Sequence, residues 1–307
     1  MALRLGLVGL GTIARNQHLA AIAATEGIEL AAVASRNASL PDVPSHRDIA
    51  AMLAAEPAVD AVSLCTPPQG RFDQAVAALA AGKHLMLEKP PGSTVAEVQA
   101  LARLAEGRGV TLFATWHSRE AAAVEAARAH LAGAELRSVR VTWKEDVRRW
   151  HPGQQWIWQP GGLGVFDPGI NALSIVTRIL PEPVHLTAAE LSYPANREAP
   201  IAADLRFRTT GGVPVEAVFD WRQLGPQTWD IEVETASGRL SLTGGGSRLA
   251  IDGRERLADA DREYQGLYRR FVALINAGQS DVDLAPMILV ADAFLLGQRR
   301  EVEPFED

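Results

Sequence analysis

Five short apolar runs punctuate the first third of the chain, and the spacing between them limits the fold. Leu3 to Val8, Ile28 to Ala34, Asp60 to Cys65, His84 to Leu87 and Val110 to Thr115 have the length and content of buried strands. Helices are expected to about Ala24, from Phe72 to Ala81 and from about Thr94 to Glu106. Strands alternating with helices of this length imply parallel βαβ units in a doubly wound sheet. Ligands of such sheets lie beyond the carboxyl ends of the strands. That rim collects Gly9, Ser35, Thr66 and Lys89, with Trp116 and His117 past the last strand.

The first strand runs into Gly9-Leu10-Gly11-Thr12-Ile13-Ala14, a glycine turn opening a helix. This is the context of a dinucleotide fingerprint. Gly9 permits the tight turn, Gly11 leaves room for a pyrophosphate, and Ala14 lets the helix pack on the sheet. The amides of Thr12 and Ile13 would face the phosphates at the positive end of the helix dipole. The motif alone is weak, because glycine turns also join strands to helices for packing reasons. The second strand ends at Ala34-Ser35-Arg36, without the carboxylate that would bind the ribose of NAD. Ser35 and Arg36 suit a 2′-phosphate instead. The expected cofactor is therefore NADP in preference to NAD.

The run AGKHLMLEKPPG ends an apolar strand in Glu88 and Lys89, then restricts the backbone with Pro90 and Pro91. Oxidising an alcohol requires a proton to leave oxygen while a hydride leaves carbon, and a fixed amine can accept or relay that proton. With the glycine turn and the strand end Cys65-Thr66-Pro67-Pro68, this run resembles the glucose–fructose oxidoreductase/inositol dehydrogenase (Gfo/Idh/MocA) family over essentially the whole chain. The resemblance implies that Lys89 lies between nicotinamide and substrate hydroxyl, with a cis Lys89–Pro90 bond. The cofactor set expected is Gly9, Gly11, Thr12, Ile13, Ser35, Arg36, Cys65, Thr66, Pro67, Glu88, Lys89 and His117.

From about Glu120 the pattern changes. A helix to Leu131 leads into a strand from Ser138 to Lys144 and then an irregular stretch. Strand-like segments follow near Val184–Leu191, Ala203–Phe207, Val213–Trp221, Thr228–Thr235 and Gly238–Leu242, with helices near Tyr264–Ala277 and Pro286–Arg300. This reads as an α+β domain with an open, mostly antiparallel sheet. Its uncovered face is expected to serve a homo-oligomer, a dimer or tetramer. The domains are expected at 1–119 and 120–307, with the last helix packing back on the first.

The irregular stretch holds Glu145, Trp150, His151, Asp167 and Asn171. Asp167 and Asn171 are one helical turn apart, so both can face one pocket. The family usually has a histidine where Asn171 stands, and an amide cannot take up a proton at neutral pH. Proton acceptance is then expected from Lys89 and Asp167, the catalytic pair. The stretch from Trp143 to Trp158, followed by PGGLGVFDPGIN, resembles the branch of that family that oxidises L-arabinose and D-galactose at C1. The resemblance implies that Lys89, His117, Glu145, Trp150, His151, Asp167, Asn171 and Trp229 surround the sugar. Taken singly, Trp156, Trp158 and Trp229 suit core or loop packing better than ligand contact. Glu145, His151 and Asp167 lack the paired spacing of common zinc motifs, so no metal is expected. A polyol or inositol dehydrogenase, or a nucleotide-binding protein without chemistry, are the alternatives.

Composition narrows the partners. Over 307 residues the net charge is -7, which argues against nucleic acid and anionic membrane. No apolar stretch approaches the roughly 18 residues of a membrane span, and the apolar start reads as a strand rather than a secretory leader. The one cysteine, Cys65, allows no intrachain disulfide and fits a reducing, cytoplasmic setting.

Overall fold

The computed structural model describes residues 2–306. The chain forms two compact units, one of residues 1–117 and 264–283, the other of residues 118–263 and 284–307.

The first unit holds β1 (Leu3–Val8), a π-helical turn (Ala14–His18) continuing into α1 (Leu19–Ala23), β2 (Ile28–Ala34), β3 (Ser45–His46), α2 (Ile49–Ala55) and β4 (Ala61–Leu64). It continues with α3 (Arg71–Ala80), β5 (His84–Leu87), α4 (Val95–Arg108) and β6 (Leu112–Ala114). The six strands pair in the order β3-β2-β1-β4-β5-β6, and every pairing is parallel. The order reverses between β1 and β4, which is where such a sheet opens a crevice for a ligand. Strand β3 and helix α2 were not legible in the sequence; β3 has only two residues.

A parallel sheet must be covered on both faces. On one face Met52, Leu79, Leu101 and Ala105 of α2, α3 and α4 pack on Val8, Val62 and Leu64. On the other, the short α1 supplies Ala21 and Ile22, too little to cover Leu5, Leu7 and Met86. The deficit is met from far along the chain by α8 (Glu263–Ala277), through Tyr264, Leu267, Tyr268 and Phe271. The helix that returns to the first unit is thus the penultimate one, not the last.

The second unit carries α5 (Val124–Leu131), β7 (Leu136–Lys144), α6 (Val147–Trp150), α7 (Phe166–Ile179), β8 (Val184–Pro194), β9 (Ala202–Thr209) and β10 (Pro214–Asp220). After them come β11 (Thr228–Thr235), β12 (Gly238–Thr243), β13 (Arg248–Ile251), β14 (Arg254–Ala258), α9 (Ala285–Leu296) and β15 (Gln298–Val302). Its nine strands run β14-β13-β12-β11-β7-β10-β9-β8-β15. All pairs are antiparallel except β7 with β10 and β8 with β15. Burial alternates along β9 and β10, the mark of one covered and one open face. The final helix is shorter than the sequence suggests. It stops at Leu296, and Gln298–Val302 instead pairs with β8 at the sheet edge. The polar run QRREV suits an exposed edge, not a buried helix.

Candidate active site

In the first unit the rim forms as the alternation requires. The Gly9 amide donates to the Ala34 carbonyl at 2.8 Å, and the Ser35 amide donates to the His46 carbonyl at 2.9 Å. Gly9 has φ 93°, and a Cβ there would stand 3.0 Å from the Thr66 nitrogen. Only glycine lets the β1 and β4 ends approach this closely. A Cβ on Gly11 would meet nothing within 4 Å, so the turn leaves open space beside the exposed Thr12 and Ile13. This cradle fits the pyrophosphate of a dinucleotide. Arg36 is exposed and Ser35 half-buried at the end of β2.

The Glu88-Lys89-Pro90 turn is braced from two directions. The Lys89–Pro90 bond is cis. Arg71, the first residue of α3, is buried and donates through Nη1 to the carbonyls of Glu88 and Pro90. Its Nε donates to the Thr66 carbonyl at 2.9 Å, and its Nη2 donates to the same oxygen. One guanidinium therefore ties the ends of β4 and β5 together, and its planar fork suits several fixed acceptors.

From the other side comes the Glu88 carboxylate. It is turned inward, not onto the rim. Tyr264 Oη donates to Oε1 at 2.6 Å, His18 Nε2 lies 3.3 Å from the same oxygen, and the Lys89 amide donates to Oε2. The chain of contacts continues through His18 Nδ1 to Tyr268 Oη at 2.7 Å, and Tyr268 donates to Ser63 Oγ at 3.3 Å. Ser63 Oγ lies 3.8 Å from Cys65 Sγ. Burial would raise the carboxyl of Glu88, but the bond and charge of His18, then His117 and Tyr264, hold it well below the usual carboxylate range. Burial would likewise depress His18, and Cys65, Tyr268 and Glu88 outweigh it and hold the imidazole well above its ordinary value. Burial pushes Tyr268 up to about 12, so it stays a hydroxyl donor. These directions describe a buried imidazolium–carboxylate pair beneath Lys89. His117 stacks on Tyr264, ring centroids 5.2 Å apart. Lys89 itself is half-buried.

In the second unit Glu145 lies just past β7, and Trp221 just past β10, its parallel neighbour. Trp221 Nε1 donates to Glu145 Oε1 at 3.2 Å, and Trp229 Nε1 on β11 donates to Oε2 at 2.9 Å. Two indoles thus hold one buried carboxylate in a fixed plane. Trp150 is 40% exposed, its Nε1 donates to Gln227 Oε1 at 3.3 Å, and its ring lies 5.5 Å from that of Trp229. His151 Nε2 lies 3.4 Å from Asp167 Oδ2 in the first turn of α7. Asn171 follows one turn later, and among the described residues its side-chain amide has no protein partner. Trp158 is buried against Trp221 and Phe305, a packing residue. Among the described residues no three His, Cys, Asp or Glu side chains are grouped to hold a metal, and no helix is long and apolar enough to cross a membrane.

The galactose 1-dehydrogenase of Pseudomonas fluorescens is 44% identical over 99% of both chains. The model of an oxidoreductase family with an NAD-binding Rossmann fold, GFO_IDH_MocA, matches residues 3–115. The chain belongs to this Gfo/Idh/MocA oxidoreductase family. The crystal structure of a D-galactose-1-dehydrogenase protein from Rhizobium etli is 58% identical, with a TM-score of 0.96 over 99% of this chain and 98% of that one. A 3-ketoreductase from Actinomadura kijaniata, solved with NADP and TDP-benzene, shares the fold at a TM-score of 0.85 and 19% identity, over 98% of this chain and 100% of that one.

The Gfo/Idh/MocA chain thus gathers the rim residues of its first unit at the ends of β1, β2, β4, β5 and β6. In its second unit it gathers Glu145, Trp150, Trp229, His151 and Asp167 through direct contacts. Sequence reasoning missed Arg71, His18, Tyr264, Tyr268, Trp221 and Gln227. Only Trp221 left a readable signal, since it closes a strand as Glu145 follows one. The others each have a partner far along the chain, 17 residues away for Arg71 with Glu88 and 250 for His18 with Tyr268, beyond any local pattern.

Proposed function

We propose that the chain is an aldose 1-dehydrogenase that oxidises D-galactose, L-arabinose or both at C1 to the lactone, with NADP preferred over NAD. The observation that carries this reading is the Glu145 carboxylate held by two indoles beside the His151–Asp167 pair. Fixed carboxylates, an imidazole and an open amide discriminate hydroxyl configuration, and such a site rejects analogues lacking a hydroxyl. The galactose 1-dehydrogenase relatives support the same substrate class.

When bound, the nicotinamide supplies the acceptor for the hydride leaving C1. Gly9, Gly11, Thr12 and Ile13 would hold the pyrophosphate, and Ser35 with Arg36 the 2′-phosphate. Lys89 and Asp167 are assigned to the anomeric hydroxyl, as acceptors of its proton. The Glu145 carboxylate and the Asn171 amide orient the remaining hydroxyls. Trp150, the exposed indole, offers a flat apolar face to the C–H side of the ring. Galactose and arabinose differ only by a hydroxymethyl at C5, so one pocket serves both.

Two copies are proposed to meet through the open face of the second unit's sheet. That face carries ion pairs of both signs, including Arg239 with Glu232 at 2.6 Å and Arg300 with Glu190 at 2.7 Å. Light scattering of the purified chain tests this, and a monomer would overturn it.

The function is tested by mixing the protein with NADP or NAD and a panel of aldoses, polyols and inositols, and following reduced nicotinamide. Turnover of galactose or arabinose with lactone as product is expected. Turnover of polyols alone, or cofactor binding without turnover, would overturn the reading.

A further inference from the structure

The proposed reaction releases one proton for each hydride transferred, and that proton must reach water. Asp167 is poorly placed to deliver it. Its side chain is 3% exposed, in the first turn of a helix whose neighbouring residues are nearly all buried. Asn171, the next polar group on that face, carries no titratable proton. His151 is in contact with the carboxylate: its Nε2 lies 3.4 Å from Oδ2 and its side chain is 16% exposed. Its other ring nitrogen, Nδ1, lies 3.5 Å from Gln154 Oε1. The ring therefore has one nitrogen on the buried acid and the other on a surface loop.

The surroundings fix the ring there. The His151 amide donates to the Val147 carbonyl at 2.8 Å, closing α6, and the imidazole packs 5.3 Å from the Trp221 ring. A histidine serving only as a hydrogen-bond donor to sugar would not need its Nε2 against a buried carboxylate.

We propose that His151 is the proton outlet of this site, receiving at Nε2 the proton that Asp167 takes from the substrate hydroxyl and releasing one to water on the loop side. This rests on the reading of Asp167 as an acceptor given above. The substrate O–H bond breaks as a bond to an Asp167 oxygen forms. That bond then breaks as Nε2–H forms, leaving an imidazolium beside a restored carboxylate. The imidazolium loses its Nδ1 proton to water, which leaves the Nε2–H tautomer, and exchange of the ring protons with water restores the starting tautomer before the next turnover. No electrons are exchanged in these steps.

The test uses the full chain with NADP and the best aldose of the panel. In His151→Ala, kcat is expected to fall by about tenfold or more, by a larger factor than sugar KM rises, with NADP affinity changed little. Imidazole added to the buffer is expected to restore kcat in a saturable way. His151→Gln, which keeps a polar group beside Asp167 but cannot carry a proton, is expected to lose kcat as the alanine variant does. Should His151→Ala fail to fold, the glutamine variant decides. A raised KM with unchanged kcat, or no rescue by imidazole, or a fully active glutamine variant would overturn the outlet. Wild type inactive toward every sugar would instead remove the functional reading itself.

Discussion

Gly169 lies face to face with Phe219: a Cβ placed on it would stand 2.5 Å from the ring's Cδ2. This contact seats the first turn of α7 on β10, and the same turn carries Asp167 two residues before. The glycine of the DPGIN run is therefore a spacer that sets how deep Asp167 stands. Gly169→Ala should cost about 1–3 kcal/mol by overpacking and displace the helix. A fall in kcat larger than the fall in melting temperature would explain is expected, measured by sugar oxidation beside thermal unfolding. An alanine variant of wild-type activity would mean the helix start is less constrained than the contact implies.

Arg71 should matter to catalysis although it is buried behind the turn. Arg71→Met removes the donors to the carbonyls of Thr66, Glu88 and Pro90. Each carbonyl left without a partner costs about 1–3 kcal/mol, and a shift of Lys89 by about 1 Å can cost a hundredfold in rate. The expected outcome is a soluble protein with kcat reduced by about ten- to a hundredfold. Arg71→Lys should recover little, because one ammonium cannot reproduce the fork.

The His18–Glu88 pair gives stability a pH signature. Glu88 is depressed in the folded state, so its contribution is present above its unfolded value of about 4.3 and is lost as pH falls toward the folded one. His18 is raised, so its contribution is complete below about 6.5 and is lost as pH rises through the folded value. The stability difference between wild type and His18→Gln should be largest between those two values and shrink in alkali. Hydrogen exchange of the α8 amides across pH, in both proteins, measures it. A difference that grows with alkali would mean the imidazole is buried neutral.

Cofactor choice is expected to turn on the end of β2. In Ser35→Asp, the ratio of kcat/KM for NADP over NAD should fall by about tenfold or more, since a carboxylate repels the 2′-phosphate and binds the ribose hydroxyls. An unchanged ratio would take Ser35 out of the cofactor site.

Glu145 is expected to serve binding more than chemistry. In Glu145→Gln only one oxygen remains for two indole donors, Trp221 and Trp229. One buried N–H then loses its acceptor, at about 1–3 kcal/mol, and the carboxylate for the sugar is gone. Sugar KM should rise by more than kcat falls. Steady-state kinetics on both constants checks this.

Much of the first unit was legible because its cause is local. Apolar runs of strand length, separated by helical stretches and ended by glycine and proline, dictate a parallel sheet, and that sheet places Gly9, Ser35, Thr66 and Lys89 on one rim without knowledge of any distant contact. The one-turn spacing of Asp167 and Asn171 is equally local. What folded geometry decided is which long-range partner each group meets. Nothing near Glu88 in the sequence says that it faces His18 and Tyr264, or that Arg71 stands behind Lys89, because a side chain's environment is set by whichever elements cover it. The same holds for α8, recruited to a sheet face that α1 is too short to cover, and for Gln298–Val302, which takes an edge of β8 where the sequence continues the helix. Sequence period fixes the faces of strands and helices; only packing chooses what those faces touch.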